Sequence, residues 1–391
     1  MRPAVISDTK DMSLKRLALG ISAILALVGV MNLAVAIALP HPLISLGDNK
    51  SAPEGPGARG MALASDSKMA IMPYNFEYVA GSELSAESGR GKVYQLKLEG
   101  SPESVLQRAA KAFGLQGEVR KSSYWSAENP SYFIGSEDGS SPSLSIWWNG
   151  TGNWYYSNYS AQPELPCLRT EKAEDGSEYC AEYPEQKPTP ELLPSRAEVL
   201  NEAQRIFGAT GLKVSPDDIA VYRDQWSASA TASQKIAGQD TAITWSIGYD
   251  SKGNLAWASG NSVTAVERGE FQTVSAKSAV ARLADWRWFG APANNAYPVT
   301  EPTNKMGTLD LPTNSSGEIE TVVVTITDSK KHLLQIWDKS GGSWLVPGYG
   351  LTGSNGSVNF VVSLVEGVIE LPEPIAIEPG IPEPAVNQMT K

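Results

Sequence analysis

Few side chains in this sequence could do chemistry. Cys167 and Cys180 are its two cysteines, and they flank the charged segment LRTEKAEDGSEY, with Asp175-Gly176 as a turn signal. In an oxidising compartment they would close a disulfide over a loop with little core of its own, stabilising it by about 3 kcal/mol in the entropic account; free thiols are the alternative. His41 and His332 are the two histidines, in unlike contexts. Such a pair is too thin for a His-based metal site or a triad, and both read as structural. Among the 43 acids, Asp138, Asp250 and Asp285 stand near turns or helix ends. A glycan hydrolase would need two such carboxylates facing each other in a cleft, about 5 to 9.5 Å apart, whereas a turn or cap role accounts for each of them singly. GxSxG, HExxH, P-loop and CxxC motifs are absent. No catalytic, cofactor-binding or metal-ligating residue is assigned, and the chain reads as non-enzymatic.

The elements around these residues occur twice. A helix candidate from Pro102 to Phe113, closed by Gly114, leads through Tyr124-Trp125-Ser126-Ala127 to a hairpin running from Leu144 to Tyr156. Ala197 to Phe207, closed by Gly208, lead through Gln225-Trp226-Ser227-Ala228 to a second hairpin running from Trp245 to Trp257. The step from Trp125 to Gly152 and the step from Trp226 to Gly253 are both 27 residues, so the two copies align here without a gap. Ser101 before Pro102, and Ser195 three residues before Glu198, are start signals for the two helices. Val105, Leu106, Ala109, Ala112 and Phe113 match Val199, Leu200, Ala203, Ile206 and Phe207 as apolar stripes at helical spacing.

Period-2 alternation then sorts the hairpins. Leu144, Ile146, Trp148, Trp154 and Tyr156 should pack on the first helix, as should Trp245, Ile247, Tyr249, Leu255 and Trp257 on the second. Trp147 and Tyr155 have the opposite parity, where the second copy has Gly248 and Ala256, so only the first copy would show rings there. These two residues are the candidate binding surface, a solvent-facing platform for a glycan or peptide. The alternative is that the rings cover the interface between copies or the Cys167 to Cys180 loop.

At 391 residues and 41% hydrophobic content, the chain is long enough for two or three packed units. Its net charge of -11, with no basic cluster after the first 16 residues, argues against nucleic acid as a partner. Residues 17–39, LALGISAILALVGVMNLAVAIAL, are 23 positions without a charge. This is long enough for a transmembrane helix, and the preceding Arg2, Lys10, Lys15 and Arg16 place residues 1–16 in the cytoplasm and the bulk of the chain outside. Small residues at Ala34, Ala36 and Ala38 keep a cleaved signal peptide open as the rival reading.

Residues 40–70 read as a flexible linker and 71–160 as the first α+β repeat, which includes a strand at Val93 to Leu98. Residues 161–194 form a Pro/Glu-rich linker with the disulfide loop, and 195–268 the second repeat. Residues 269–368 follow as a short helix capped by Ser275 and a β meander, in which Asp328 to Lys331 turn between strands. Residues 369–391 are a disordered Pro-rich tail. The expected fold class is α+β: an N-terminal transmembrane helix, tandem helix-plus-antiparallel-sheet repeats and a C-terminal antiparallel meander.

A helix followed by an antiparallel sheet, repeated in tandem between Val93 and Val365, resembles the PepSY-like extracytoplasmic units of bacterial exported proteins, including membrane-anchored inhibitors of sensor kinases. The stretches Val274 to Ala279 and Trp344 to Tyr349 look like pieces of actinobacterial membrane-anchored proteins. The resemblance implies an extracytoplasmic binding or regulatory protein of the cell envelope, acting through protein or peptide contacts. It transfers no functional residue. Its partners would be the membrane, through the N-terminal helix, and an envelope protein or the cell wall. A wall-glycan-binding or structural spacer module is the second reading, and a carboxylate-dependent envelope hydrolase the third.

Overall fold

The computed structural model describes residues 42–47, 74–158, 165–173, 175–297 and 320–373. The elements in chain order are β1 (Ile44–Ser45), β2 (Tyr74–Ala80), β3 (Gly89–Leu98), α1 (Pro102–Phe113), β4 (Arg120–Lys121), β5 (Ser131–Gly135), β6 (Ser143–Trp147) and β7 (Trp154–Ser157). They continue with β8 (Arg169–Lys172), β9 (Glu178–Glu182), α2 (Arg196–Thr210), β10 (Ala220–Arg223), β11 (Ala228–Ile236), β12 (Gln239–Tyr249), β13 (Leu255–Gly260) and β14 (Val263–Thr273). The last are α3 (Ala276–Ala279), β15 (Glu320–Trp337), β16 (Ser343–Gly353), β17 (Val358–Val362) and β18 (Ile369–Glu370).

The expected α+β class with a membrane-spanning helix is corrected by this layout. The described chain is mostly sheet, with 46% of residues in strands and 16% in helices. Among the described residues there are three α-helices, one of a single turn, and none is long and apolar enough to cross a membrane. Residues 17–39 lie outside the described residues.

Both long helices begin as their residues dictate. Ser101 accepts from the Ser104 amide and Pro102 occupies the first turn. At α2, the Ser195 amide donates to Glu198 Oε2 at 2.7 Å while Ser195 Oγ accepts from the Glu198 amide at 3.3 Å, a reciprocal capping box. Gly114, at φ 68°, ends α1. The expected stop at Gly208 is passed: α2 runs on to Thr210, whose hydroxyl bonds back to the Ile206 carbonyl at 2.8 Å, and Gly211 ends the helix.

The helices cover one face of an eight-stranded sheet, ordered β10-β11-β12-β13-β7-β6-β5-β4. Each helix is followed by four strands, and the two four-stranded halves join where the last strand of each pairs antiparallel, Trp154 opposite Gly260 and Tyr156 opposite Ala258. The seam needs Gly260. A Cβ there would stand 2.4 Å from Nε1 of Trp245 and 2.5 Å from Cζ2 of Trp154, two buried indoles that meet over the bare backbone. Phe113 stacks on Tyr156 with ring centroids 4.2 Å apart and meets Trp154 edge-on, tying α1 to the seam.

The second sheet, β14-β3-β16-β15-β2 with β17 on β16, interleaves the two ends of the chain. β3, expected to belong with the first repeat, instead pairs with β14 and β16. The turn expected at Asp328 to Lys331 is absent, because β15 passes straight through these polar residues with a bulge between Ile326 and Asp328. Ile44, expected in a flexible linker, is buried, and β1 pairs in parallel with β18 at the start of the expected tail. Arg282, buried, lies 3.6 Å over the Trp288 ring and donates to the carbonyls of Val362 and Leu364. Burial lowers its pKa to about 10.

Gly260→Ala is expected to destabilise the protein by about 1–3 kcal/mol by overpacking the seam. The measurement is the urea unfolding midpoint at constant slope. An unmoved midpoint would show that the two indoles can yield.

Candidate binding face

The face of the eight-stranded sheet turned away from the helices is built from alternation. In β6, Leu144 and Ile146 enter the core while Ser143, Ser145 and Trp147 point the other way. In β11, Ala228, Ala230 and Ala232 are small enough to sit inside, leaving Ser229, Thr231 and Ser233 on the outer side. The registers align these positions into cross-strand rows. One row runs Phe133, Ser145, Tyr155, Ser259, Ser246 and Thr231, and the next runs Gly135, Ser143, Ser157, Trp257, Gly248 and Ser229. The outer face is thus a bed of small hydroxyls carrying separate rings.

At the first-copy end this face forms an open groove of about 300 Å³, whose lining includes Ser131, Phe133, Glu137, Ser145, Trp147 and Tyr155. Trp147 stands opposite Ser131 in register and is 47% exposed. Tyr155 is half-buried between Ser145 and Ser259. Phe133 forms part of the floor, with the Arg120 guanidinium 4.6 Å above its ring. Ser131 is 6% exposed, and its hydroxyl has no hydrogen-bond partner among the described residues. Tyr124 overhangs the rim, 84% exposed.

Glu137 on the rim is held by the Ser122 hydroxyl, the Ser123 amide at 2.9 Å and the Ser123 hydroxyl at 3.1 Å. The Ser122 bond above all pulls its pKa below the ordinary glutamate value.

The other candidate residues are placed singly. Asp138 serves a turn, accepting from Ser136 and from the Ser140 amide, and the Ser136 bond leads in lowering its pKa to about 2. Asp250 accepts from the amides of Lys252 and Asn254 at 2.9 and 2.8 Å in the second hairpin. Asp285 caps a short turn and pairs with Arg287 at 2.7 Å, which lowers its pKa. His332 is half-buried edge-on to Phe360, and burial depresses its pKa, with Lys330 adding to the effect. His41 lies outside the described residues. Cys167 and Cys180 form the disulfide, with Cα atoms 5.6 Å apart, in the β8–β9 hairpin.

A shallower cleft beside α2 gathers Glu191, Glu198 and Glu202. There the Ser195 amide lowers the Glu198 pKa, and the Arg205 guanidinium lowers that of Glu202. Among the described residues no group of three or more His, Cys, Asp or Glu could hold a metal ion.

One expectation fails on this face. Trp257, expected against α2, lies on the outer side, across Gly248, where an added Cβ would meet the indole at 2.2 Å. A bulge between Gly248 and Tyr249 shifts the parity by one residue, so Ala256 takes the buried place and the second copy also shows a ring. Ser131, Phe133 and Glu137 were not singled out in the sequence. The Ser143 and Ser145 alternation was a visible signal for the hydroxyl face, but nothing local marked Ser131 as buried.

No family model matches this chain, and no curated protein matches it.

Because its folded pKa is lowered, Glu137 contributes stability above the unfolded glutamate pKa of about 4.3, and that contribution is lost as pH falls through the lower folded value. A carboxyl-carbon NMR titration is expected to find its midpoint below about 4.3, and Ser122→Ala to move it upward. A midpoint indifferent to Ser122→Ala would remove the hydroxyl as the cause.

Proposed function

We propose that this chain is an extracytoplasmic, non-catalytic binding protein of the bacterial cell envelope, with the groove around Trp147 and Tyr155 as its recognition surface. The observation that carries the reading is Trp147, a large ring left 47% exposed in a groove that it lines together with Tyr155, on a sheet face whose other side is filled by helices. Tryptophan and tyrosine are among the side chains most enriched as anchors of recognition surfaces. The disulfide supports an oxidising compartment. The clefts also favour binding over acid-base chemistry. A general acid near neutrality needs a raised pKa, whereas Glu137, Glu198 and Glu202 are all shifted down. Tandem helix-on-sheet copies support the likeness to PepSY-like extracytoplasmic units, as a reading of architecture.

The double variant Trp147→Ala/Tyr155→Ala is the test. Retention of the purified protein on isolated cell envelopes is expected to fall at least about tenfold. Retention unchanged in a variant that keeps the wild-type unfolding midpoint would reject this face.

A further inference from the structure

Resting on that reading of the face, the geometry points to a neutral oligosaccharide as the ligand of the groove, its pyranose ring stacked on Trp147 and its hydroxyl edge bonded to Ser131.

The backbone of the groove floor has little to offer a ligand. β5 pairs with β4 and β6, β6 with β5 and β7, and β7 with β6 and β13, so every floor strand is paired on both sides. A peptide recognised by strand addition needs an unpaired edge, which this floor lacks. Recognition must then come from side chains, and those present are hydroxyls, ring faces and one carboxylate.

The charges narrow the class further. Glu137 is the one charged side chain among the groove lining, and it is fixed in its ionised form by Ser122 and Ser123. Arg120 lies 4.6 Å over the floor ring of Phe133, but its guanidinium donates to the Gly135 carbonyl and helps to hold Glu137 ionised, so its charge is already offset. A phosphate, sulfate or uronate would have to compete with that carboxylate for it. A neutral polyol suits the same groups. Each of its hydroxyls both donates and accepts, as serine does, and its C–H face is apolar enough to cover an indole.

Ser131 marks where the two modes meet. It is more than nine-tenths buried, lines the groove and has no hydrogen-bond partner among the described residues, although a buried hydroxyl left unpaired is unfavourable. Its register partner is Trp147. The Ser131 Oγ is enclosed in this structure, so a sugar ring lying on the indole meets it once the Ser131 side chain turns toward the groove, and the hydroxyl then gains the partner it lacks. Tyr155, half-buried on the strand beside that of Trp147, offers a second ring, whereas Phe133 is buried beneath the Arg120 guanidinium. Two rings on neighbouring strands suit a chain of sugars better than a single one.

Isothermal titration of the full chain with cellotetraose and with N-acetylglucosamine tetramer tests this, with a galacturonate tetramer and an uncharged pentapeptide as comparators. At least one neutral tetramer is expected to bind, and the comparators at least about tenfold more weakly. Trp147→Ala is expected to weaken the binding at least about tenfold, Trp147→Phe to recover most of it, and Ser131→Ala to weaken it by about threefold to tenfold without lowering the unfolding midpoint. If neither neutral tetramer binds at millimolar concentration, or if binding ignores Trp147→Ala, the inference is overturned. Should envelope retention still depend on Trp147 in that case, the face remains the binding surface and the saccharide class alone falls. Loss of both dependences removes both.

Discussion

The antiparallel seam between β7 and β13 is the constraint on which the rest of the molecule depends. Each copy, a helix over four strands, ends in a strand of four or six residues, and pairing these two strands makes a single eight-stranded layer. The seam tolerates two indoles only because residue 260 is glycine. Close by, the Ser262 amide donates to the Thr151 carbonyl at 3.0 Å, its hydroxyl donates to the Glu99 carbonyl at 3.0 Å, and Asn153 donates to the Gly260 carbonyl at 3.0 Å. These bonds gather the chain leaving β13, the turn before β7 and the approach to α1 at one point. The second sheet starts directly from it, because β3 precedes α1 and β14 follows β13.

With the helices and part of the second sheet filling one side of the eight-stranded layer, the other side is released from packing duty. The inner positions are heavy in the first copy, with Leu144, Ile146, Trp154 and Tyr156, and light in β11, where alanines make room for α2. Serine and threonine fill seven of the twelve outer positions in the two aligned rows, and none of the twelve is charged. Hydroxyls on a solvated sheet face are compatible with strand propensity and commit the surface to no charge. Against that neutral ground, a ring such as Trp147 is distinctive chemistry rather than surplus core.

Local signals in the sequence were strong where the physics is local. The Ser195 and Glu198 box, the Pro102 start, the Gly152 and Gly253 turns and the cysteine pair each depend on residues within a few positions of one another, and each is found in place. Legibility failed where a distant partner decides. β3 reads as a strand from its own alternation, yet its neighbours β14 and β16 begin far along the chain. Ile44 looks like spacer until Ile369 arrives beside it. Asp328 to Lys331 carry turn chemistry, but Leu351 and Gly350 opposite hold them in the ladder. At the candidate face the same limit applies in miniature. One bulge at Gly248 reverses the side on which Trp257 emerges, and the burial of Ser131 depends on its neighbours across the sheet.

Joining the copies through their final strands leaves their first strands, β4 and β10, as the two borders of the layer. Both are short, two and four residues, and their sequences contain Arg120, Lys121 and Arg223. Brief basic borders are poor templates for further pairing. The seam uses up the final strand of each copy, so a third copy added in line would have to pair with one of these basic borders.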